Sequence, residues 1–161
     1  MMLNKKNNII LIIIFLIILL SIISALIIEH TLGHKPCSLC IYERVPYFLS
    51  VLLMIKIFFF KKYEKIVLFI LCLVFMISAL LAFYHFGIEQ GFFKESLVCN
   101  LDSIIANLPK EDLLKELQQQ TVSCKDVNFR IFGLSLATIN TIISLILSVI
   151  TLKLFLNYEK N

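Results

Sequence analysis

The chain has 161 residues, of which 60% are hydrophobic and only 16% are charged, and its mean hydropathy is +0.94. A water-soluble domain carries roughly 25% charged residues, so this composition excludes an ordinary soluble globular protein. The formal net charge of +4 does not indicate nucleic-acid binding, because the basic residues cluster at the ends of apolar segments.

Four apolar runs are long enough to cross the hydrocarbon core of a bilayer, which takes about 20 helical residues. We expect spans at about residues 9–28, 41–60, 66–86 and 131–152. The first run is longer than the apolar region of a signal peptide, which is usually about 7–15 residues, so we expect it to be retained. The sequence therefore predicts one all-α integral membrane domain over residues 1–161, a four-transmembrane-helix bundle.

Basic residues favour the cytoplasmic side of short loops in membrane proteins. Here they precede the first span, fill the turn after the second and follow the fourth: Lys5, Lys6, Lys61, Lys62, Lys65, Lys153 and Lys160. Residues 87–130 have the opposite bias, with five basic and seven acidic residues. The sequence therefore predicts cytoplasmic termini and two extracytoplasmic loops, at about residues 29–44 and 87–130.

The second outer loop contains a pattern typical of a helix start, in which Pro109 is followed by Glu111 and Asp112. The leucines at positions 113, 114 and 117 would share one face of that helix. The pattern favours two structures equally, a short amphipathic helix on the membrane surface and a solvated loop helix with an ordinary apolar side.

Four of the five cysteines lie in the predicted outer loops, namely Cys37, Cys40, Cys99 and Cys124. Disulfides persist on the extracytoplasmic side, so two cysteines in each loop indicate two structural disulfides or one exchanging set. The fifth, Cys72, lies inside the third span, where we expect an apolar packing residue without chemistry.

Residues 37–40 form a CxxC motif, a pattern that can lower the pKa of a thiol and support exchange. We expect the second helix to begin near Ile41, which puts Cys40 at its N-terminus, where the helix dipole favours a thiolate. Arg44 follows one turn later and would stabilise that thiolate or an acceptor beside it. The alternative is a zinc site, for which His30 and His34 are the candidate additional ligands.

Cys99 and Cys124 enclose 24 residues. A structural disulfide there would contribute about 3 kcal/mol, and a membrane scaffold with two permanent disulfides is the non-enzymatic alternative. The location of both pairs on one membrane face favours a relay instead. In such a relay the outer pair oxidises a soluble partner and is reoxidised through mixed disulfides by the CxxC pair, which stays beside an acceptor dissolved in the membrane.

The ten residues KPCSLCIYER at positions 35–44 closely resemble the signature of the DsbB family, the bacterial disulfide bond formation protein B. The resemblance extends to four spans, cytoplasmic termini and two further cysteines in the second outer loop. It implies a protein-dithiol:quinone oxidoreductase of the bacterial inner membrane. Such a protein reoxidises a DsbA-like thioredoxin-fold partner in the periplasm and passes the electrons to ubiquinone or menaquinone.

The resemblance also implies roles for individual residues. Cys99 matches the cysteine that forms the mixed disulfide with the partner, and Cys124 matches the loop companion that exchanges with the first-loop pair. Cys37 takes part in that exchange, and Cys40 matches the thiolate that contacts the quinone. Arg44 matches the arginine placed against the quinone ring.

Three further points concern residues near this signature. Glu43 belongs to it, and we expect it to orient the helix end without chemistry. His85 and Glu89 would share a helix face if the third helix continues past Gly87, and they would then steer protons during quinone reduction. The alternative is that His85 is an ordinary interfacial histidine and Glu89 a solvated glutamate. A vitamin-K-epoxide-reductase-like protein is disfavoured, because its quinone-proximal CxxC comes after the loop pair.

Overall fold

The computed structural model describes residues 5–33, 36–60, 63–94, 99, 123–125, 130–131 and 133–160. These residues contain four long helices: α1 (Lys5–His30), α2 (Ser38–Phe59), α3 (Glu64–Glu89) and α4 (Leu136–Lys160). Each helix contains a stretch long and apolar enough to cross a membrane. The predicted all-α four-helix architecture is therefore confirmed. The predicted surface helix at residues 109–117 lies outside the described residues.

The helix boundaries differ from the prediction most clearly at the fourth span. α4 begins at Leu136 instead of position 131, because a short antiparallel hairpin precedes it, formed by β1 (Arg130–Ile131) and β2 (Leu134–Ser135). Gly133 has a φ of +83°, a backbone conformation that favours glycine. Ser135 then accepts a hydrogen bond from the backbone N–H of Thr138 at 3.2 Å, as a capping serine does.

The bundle core is made of apolar side chains from all four helices. The fully buried members include Leu11, Ile14, Ile18, Met54, Leu68, Leu71, Phe75 and Leu147. Side chains on the outside of the bundle are equally apolar, for example Leu20, Leu52 and Leu80. A helix that is apolar all round is what a membrane requires, because its outer face contacts lipid and not water.

Consecutive helices run in opposite directions, so the segments that carry the two predicted outer loops meet at one end of the bundle. At the other end, the ammonium group of Lys65 near the start of α3 lies 5.9 Å from the ring centroid of Phe155 near the end of α4. α3 packs against both α2 and α4, and α2 packs against α1. Both predicted outer loops therefore emerge beside each other.

We expect the substitution Phe75→Ala to lower the free energy of unfolding by about 2 kcal/mol. Unfolded helices stay in lipid, so the phenyl group does not move between lipid and water. The loss of stability therefore comes from the void that the smaller side chain leaves, on the order of 100 Å³ at about 24 cal/mol per Å³. Phe83 on the same helix is 53% exposed, and Phe83→Ala should cost less than about 0.5 kcal/mol. Unfolding by SDS titration in mixed micelles measures both, and equal losses would contradict the assigned faces.

Candidate functional site

The cysteine pairs of both predicted outer loops meet at one end of the bundle. Cys37, Cys99 and Cys124 are buried in one apolar cluster with Leu39 of α2 and Ile88 of α3. The partly buried side chains of Cys40 and Tyr84 pack against this cysteine cluster. The structure thus brings together all four cysteines that the sequence analysis selected.

The two pairs differ in redox state. Cys99 and Cys124 form a disulfide with their Cα atoms 5.5 Å apart, whereas Cys37 and Cys40 are free thiols. Cys72 is also a free thiol, but it lies inside the bundle, where its sulfur is 3.9 Å from the backbone carbonyl oxygen of Ser148. One oxidised and one reduced pair therefore share the same apolar cluster.

Cys37, and not Cys40, occupies the cap position of α2, because the helix begins at Ser38 instead of near Ile41. The backbone N–H of Cys40 donates a hydrogen bond to the Cys37 sulfur at 3.1 Å, the bond that an N-cap side chain accepts from the third helical residue. This hydrogen bonding with Cys40 lowers the pKa of the Cys37 thiol below its ordinary value, although burial opposes it. The sulfur at position 37 therefore receives the favourable helix-end interactions.

His85 on α3 contacts the same sulfur. Its Nε2 atom lies 3.5 Å from the Sγ atom of Cys37, and its Nδ1 atom lies 2.7 Å from Oε1 of Glu43. The His85 and Glu43 side chains are only 4% and 9% exposed. Because a carboxylate accepts hydrogen bonds, we assign a proton to Nδ1. When the ring is neutral, Nε2 is then free to accept a hydrogen bond from the Cys37 thiol.

Glu43 joins three helices through its two carboxylate oxygens. Oε1 accepts from His85 on α3, and Oε2 accepts from the side-chain amide of Asn140 on α4 at 2.6 Å. The Asn140 carbonyl accepts in turn from the Tyr47 hydroxyl at 2.5 Å. That hydroxyl lies 3.0 Å from the Ser144 hydroxyl. A buried carboxylate is costly unless its lone pairs are satisfied, and this network satisfies both oxygens.

From the sequence, we expect Glu43 only to orient a helix end, and we assign no role to Asn140 or Tyr47. Their position inside membrane spans could have indicated a role, since polar groups there are costly and usually face the bundle interior. Only the packing of α2, α3 and α4 shows which of these groups contact one another.

α3 continues past Gly87, so His85 and Glu89 share a face, with Nε2 and the nearer carboxylate oxygen 3.8 Å apart. The Glu89 side chain is only 6% exposed, so the alternative of a solvated glutamate is wrong. Its other carboxylate oxygen is buried and has no hydrogen-bond partner among the described residues. Glu89 therefore adds a second carboxyl group beside the imidazole.

Gly87 allows the chain to fold back over the end of α3. A Cβ atom at this position would lie 2.1 Å from a ring carbon of Phe93. The backbone N–H groups of Phe92 and Phe93 both donate to the Gly87 carbonyl, at 2.8 and 3.1 Å. The Phe93 ring stacks on Tyr84, 5.6 Å between centroids, and so packs behind a residue that contacts the cysteine cluster.

Arg44 lies one turn after Cys40 on α2 and forms an ion pair with Glu29 near the end of α1. The Arg44 side chain is 20% exposed, and the neighbouring side chains of Ile41 and Val45 face outward. Arg44 therefore lies at the border between the bundle and its apolar outer surface. Sequence analysis did not identify Glu29 as its partner.

The free thiols also provide ligands of the kind that zinc prefers. The Cys37 and Cys40 sulfurs and a His85 ring nitrogen all lie within 4.8 Å of one another. The zinc alternative in the sequence analysis used different histidines. Nδ1 of His30 lies 3.2 Å from a carbonyl oxygen of its own helix, and His34 lies outside the described residues.

Comparison with known proteins gives two matches. The family model for disulfide bond formation protein DsbB matches residues 7–154, which include all four helices' membrane-crossing cores and every cysteine. An uncharacterized protein from Rickettsia prowazekii (strain Madrid E) is 26% identical over 146 residues, covering 88% of this chain and 83% of the relative.

We expect Glu43→Ala to destabilise the protein more than Glu43→Gln does. Alanine leaves the N–H donors of His85 and Asn140 buried without their acceptor, at about 1–3 kcal/mol for each, whereas glutamine retains an acceptor and a donor. SDS or thermal unfolding of the full chain in detergent measures the difference. Equal stability of the two variants would show that these hydrogen bonds do not hold the helices together.

Proposed function

Because the chain belongs to the DsbB family, a family of membrane oxidoreductases in disulfide bond formation, we propose that it is a protein-dithiol:quinone oxidoreductase. It oxidises the dithiol of a DsbA-like thioredoxin-fold partner and passes the electrons to a membrane quinone, ubiquinone or menaquinone. One observation carries this proposal. An oxidised cysteine pair and a reduced pair are held in one buried cluster at one end of a four-helix membrane bundle.

The proposed route uses thiol–disulfide exchange, in which a thiolate attacks a disulfide sulfur and releases another thiolate. A thiolate of the reduced partner attacks Cys99 and releases Cys124, which attacks Cys37 and releases Cys40. The second thiol of the partner then displaces Cys99 from the mixed disulfide, and Cys99 re-forms its bond with Cys124 and releases Cys37. Two electrons and two protons leave the partner, and the first-loop pair becomes a dithiol. The described state, with Cys99 bonded to Cys124 and two free thiols, fits the point just before the first-loop pair is reoxidised.

The reduction potential of the soluble partner supports a quinone as the acceptor. DsbA, the established oxidant of this system, has a potential of about −120 mV, so its reoxidation needs an acceptor of still higher potential. No haem, flavin or nucleotide motif is visible in the sequence. A quinone dissolved in the bilayer supplies the required two-electron, two-proton acceptor chemistry.

The residues around Arg44 fit a quinone. A guanidinium has five N–H donors, and the ion pair of Arg44 with Glu29 uses one terminal nitrogen. The outward-facing side chains of Ile41 and Val45 provide apolar surface next to it. A ring with two carbonyl oxygens needs a donor beside such a surface, so Arg44 would hold the quinone, with Cys40 one turn earlier on the helix.

The proposal places the protein in the bacterial inner membrane, with cytoplasmic termini and periplasmic cysteine loops. The positive-inside distribution of lysines supports this orientation. Within the described part of the chain, Lys65 and Lys153 lie on the halves of α3 and α4 that are remote from the cysteine cluster. A thiol relay also requires an oxidising compartment for its outer loops.

We expect Cys40→Ser to abolish quinone-dependent oxidation of a reduced thioredoxin-fold partner, because the first-loop pair can no longer form a disulfide. The matched control is Cys72→Ser, which removes a buried thiol inside the bundle and should retain the activity. Purified protein, a quinone and a reduced DsbA-like protein make up the assay. Turnover by the Cys40→Ser variant would contradict the proposed route.

Thiol trapping in cells separates the relay from the scaffold with permanent disulfides. When quinone is depleted, the relay has no acceptor, so we expect its cysteines to accumulate as thiols that alkylating reagents label. Permanent disulfides would stay unlabelled under the same conditions. Unchanged labelling after quinone depletion would therefore support the scaffold.

We expect Arg44→Ala to raise the KM for quinone about tenfold or more, because a hydrogen bond to a charged group contributes roughly 1.5–3 kcal/mol. The KM for the soluble partner should not change, since Arg44 is not among the residues of the cysteine cluster. Glu29→Gln is the control, because it breaks the same ion pair but keeps the cation. Equal effects of both variants would mean that only the ion pair matters.

A further inference from the structure

The Cys37 sulfur is one end of a polar network that extends into the bundle. Nε2 of His85 lies 3.5 Å from the sulfur, Nδ1 lies 2.7 Å from Glu43, and Glu43 accepts from Asn140 at 2.6 Å. The order is thiol, imidazole, carboxylate and amide, taken from three helices. Imidazole between a thiol and an orienting acceptor is the arrangement in which a histidine activates a sulfur nucleophile.

We propose that His85 is the base that exchanges a proton with Cys37, and that Glu43 and Asn140 are positioning residues that hold its imidazole. The proposal deepens the proposed function and rests on it, since it assigns the proton step of the first-loop pair. His85 would contact the reacting sulfur, whereas Glu43 and Asn140 act through His85.

The proton step can be written with full balance. The Cys37 thiol gives its proton to Nε2 of neutral His85, which leaves a thiolate beside an imidazolium and transfers no electrons. Disulfide formation also breaks the S–H bond of Cys40, and a sulfur–sulfur bond then joins Cys37 and Cys40. The two electrons released by this oxidation would pass to the quinone acceptor proposed above. Of the two protons released, that of Cys37 passes first to His85, and both finally reach the reduced acceptor.

The cap position of Cys37 favours ionisation of its thiol. It accepts the N–H of Cys40 at 3.1 Å and faces the positive end of the α2 dipole. Hydrogen bonding with Cys40 also lowers the pKa of the Cys37 thiol. An imidazolium at 3.5 Å would add a positive charge beside the sulfur.

The other ionisable groups near His85 are two carboxyl groups, from two different helices, and one thiol. Glu43 from α2 and Glu89 from α3 itself contribute carboxyl groups, at 2.7 and 3.8 Å. Both carboxylates stabilise an imidazolium, while they repel a thiolate. The Cys40 thiol also interacts with the ring, and α4 contributes the neutral amide of Asn140 to Glu43. Glu43 touches the nitrogen that faces away from the sulfur, so it can stabilise the ring cation without displacing Cys37.

The test measures the ionisation of Cys37 directly. Full-length protein in detergent is reduced and alkylated with iodoacetamide across a range of pH, and mass spectrometry of peptides gives the rate at each cysteine. In the unsubstituted protein, the half-maximal rate at Cys37 should fall below the ordinary pKa of 9.0. His85→Asn should raise this midpoint by about one pH unit, which slows alkylation at neutral pH roughly tenfold.

Matched variants separate the positioning role from general stability. His30→Asn makes the same change at an exposed histidine and should leave the Cys37 midpoint unchanged. Glu43→Ala should raise the midpoint, and Glu43→Gln, which can still accept from Nδ1, should restore part of the difference. If His85→Asn does not fold, the two Glu43 variants provide the comparison. An unchanged midpoint in His85→Asn, or equal midpoints in the two Glu43 variants, would overturn the proposal.

This experiment uses neither a partner protein nor a quinone, so its outcome is independent of the activity assay. A midpoint that depends on His85, in a protein without quinone-dependent oxidation of a partner, would refute the proposed function alone. A protein that catalyses this oxidation but has an unchanged midpoint in His85→Asn would refute the role of His85 alone.

Discussion

The burial of one carboxylate, that of Glu43, constrains the whole cysteine end of the bundle. A charged group in an apolar membrane bundle is tolerated only when other groups satisfy it, and here the partners come from α3 and α4. This requirement fixes how the three helices meet at that end. The same bonds aim the imidazole of His85 at the Cys37 sulfur, so the group that needs stabilisation also orients the site.

Two kinds of attachment hold the two cysteine pairs. Cys37 and Cys40 belong to the first turn of α2 and its cap, so their geometry follows from helix formation. Cys99 and Cys124 belong to the long connection between α3 and α4, and a disulfide joins them directly. In the proposed function, the helix-anchored pair contacts the acceptor in the lipid and the loop-borne pair contacts the partner in solution.

Much of this architecture could be predicted from the sequence, because the membrane imposes simple rules on composition. Apolar runs of about 20 residues must be helices when no water can satisfy their backbone, and this predicted the four helices. Local details were less accurate. The fourth helix starts at Leu136, after a hairpin at Gly133, and α2 starts at Ser38, which moves the cap from Cys40 to Cys37. Apolarity does not mark the residue at which a cap forms.

The sequence by itself therefore determined the membrane class and the four helices, since these depend on composition and on position along the chain. The tertiary structure alone decided that a glutamate of α2, a histidine of α3 and an asparagine of α4 form one network. It also decided that Arg44 pairs with Glu29. The physical reason is that helices which are apolar on every side carry no pattern that shows which faces pack together, so contacts between helices follow from packing and hydrogen bonding in three dimensions.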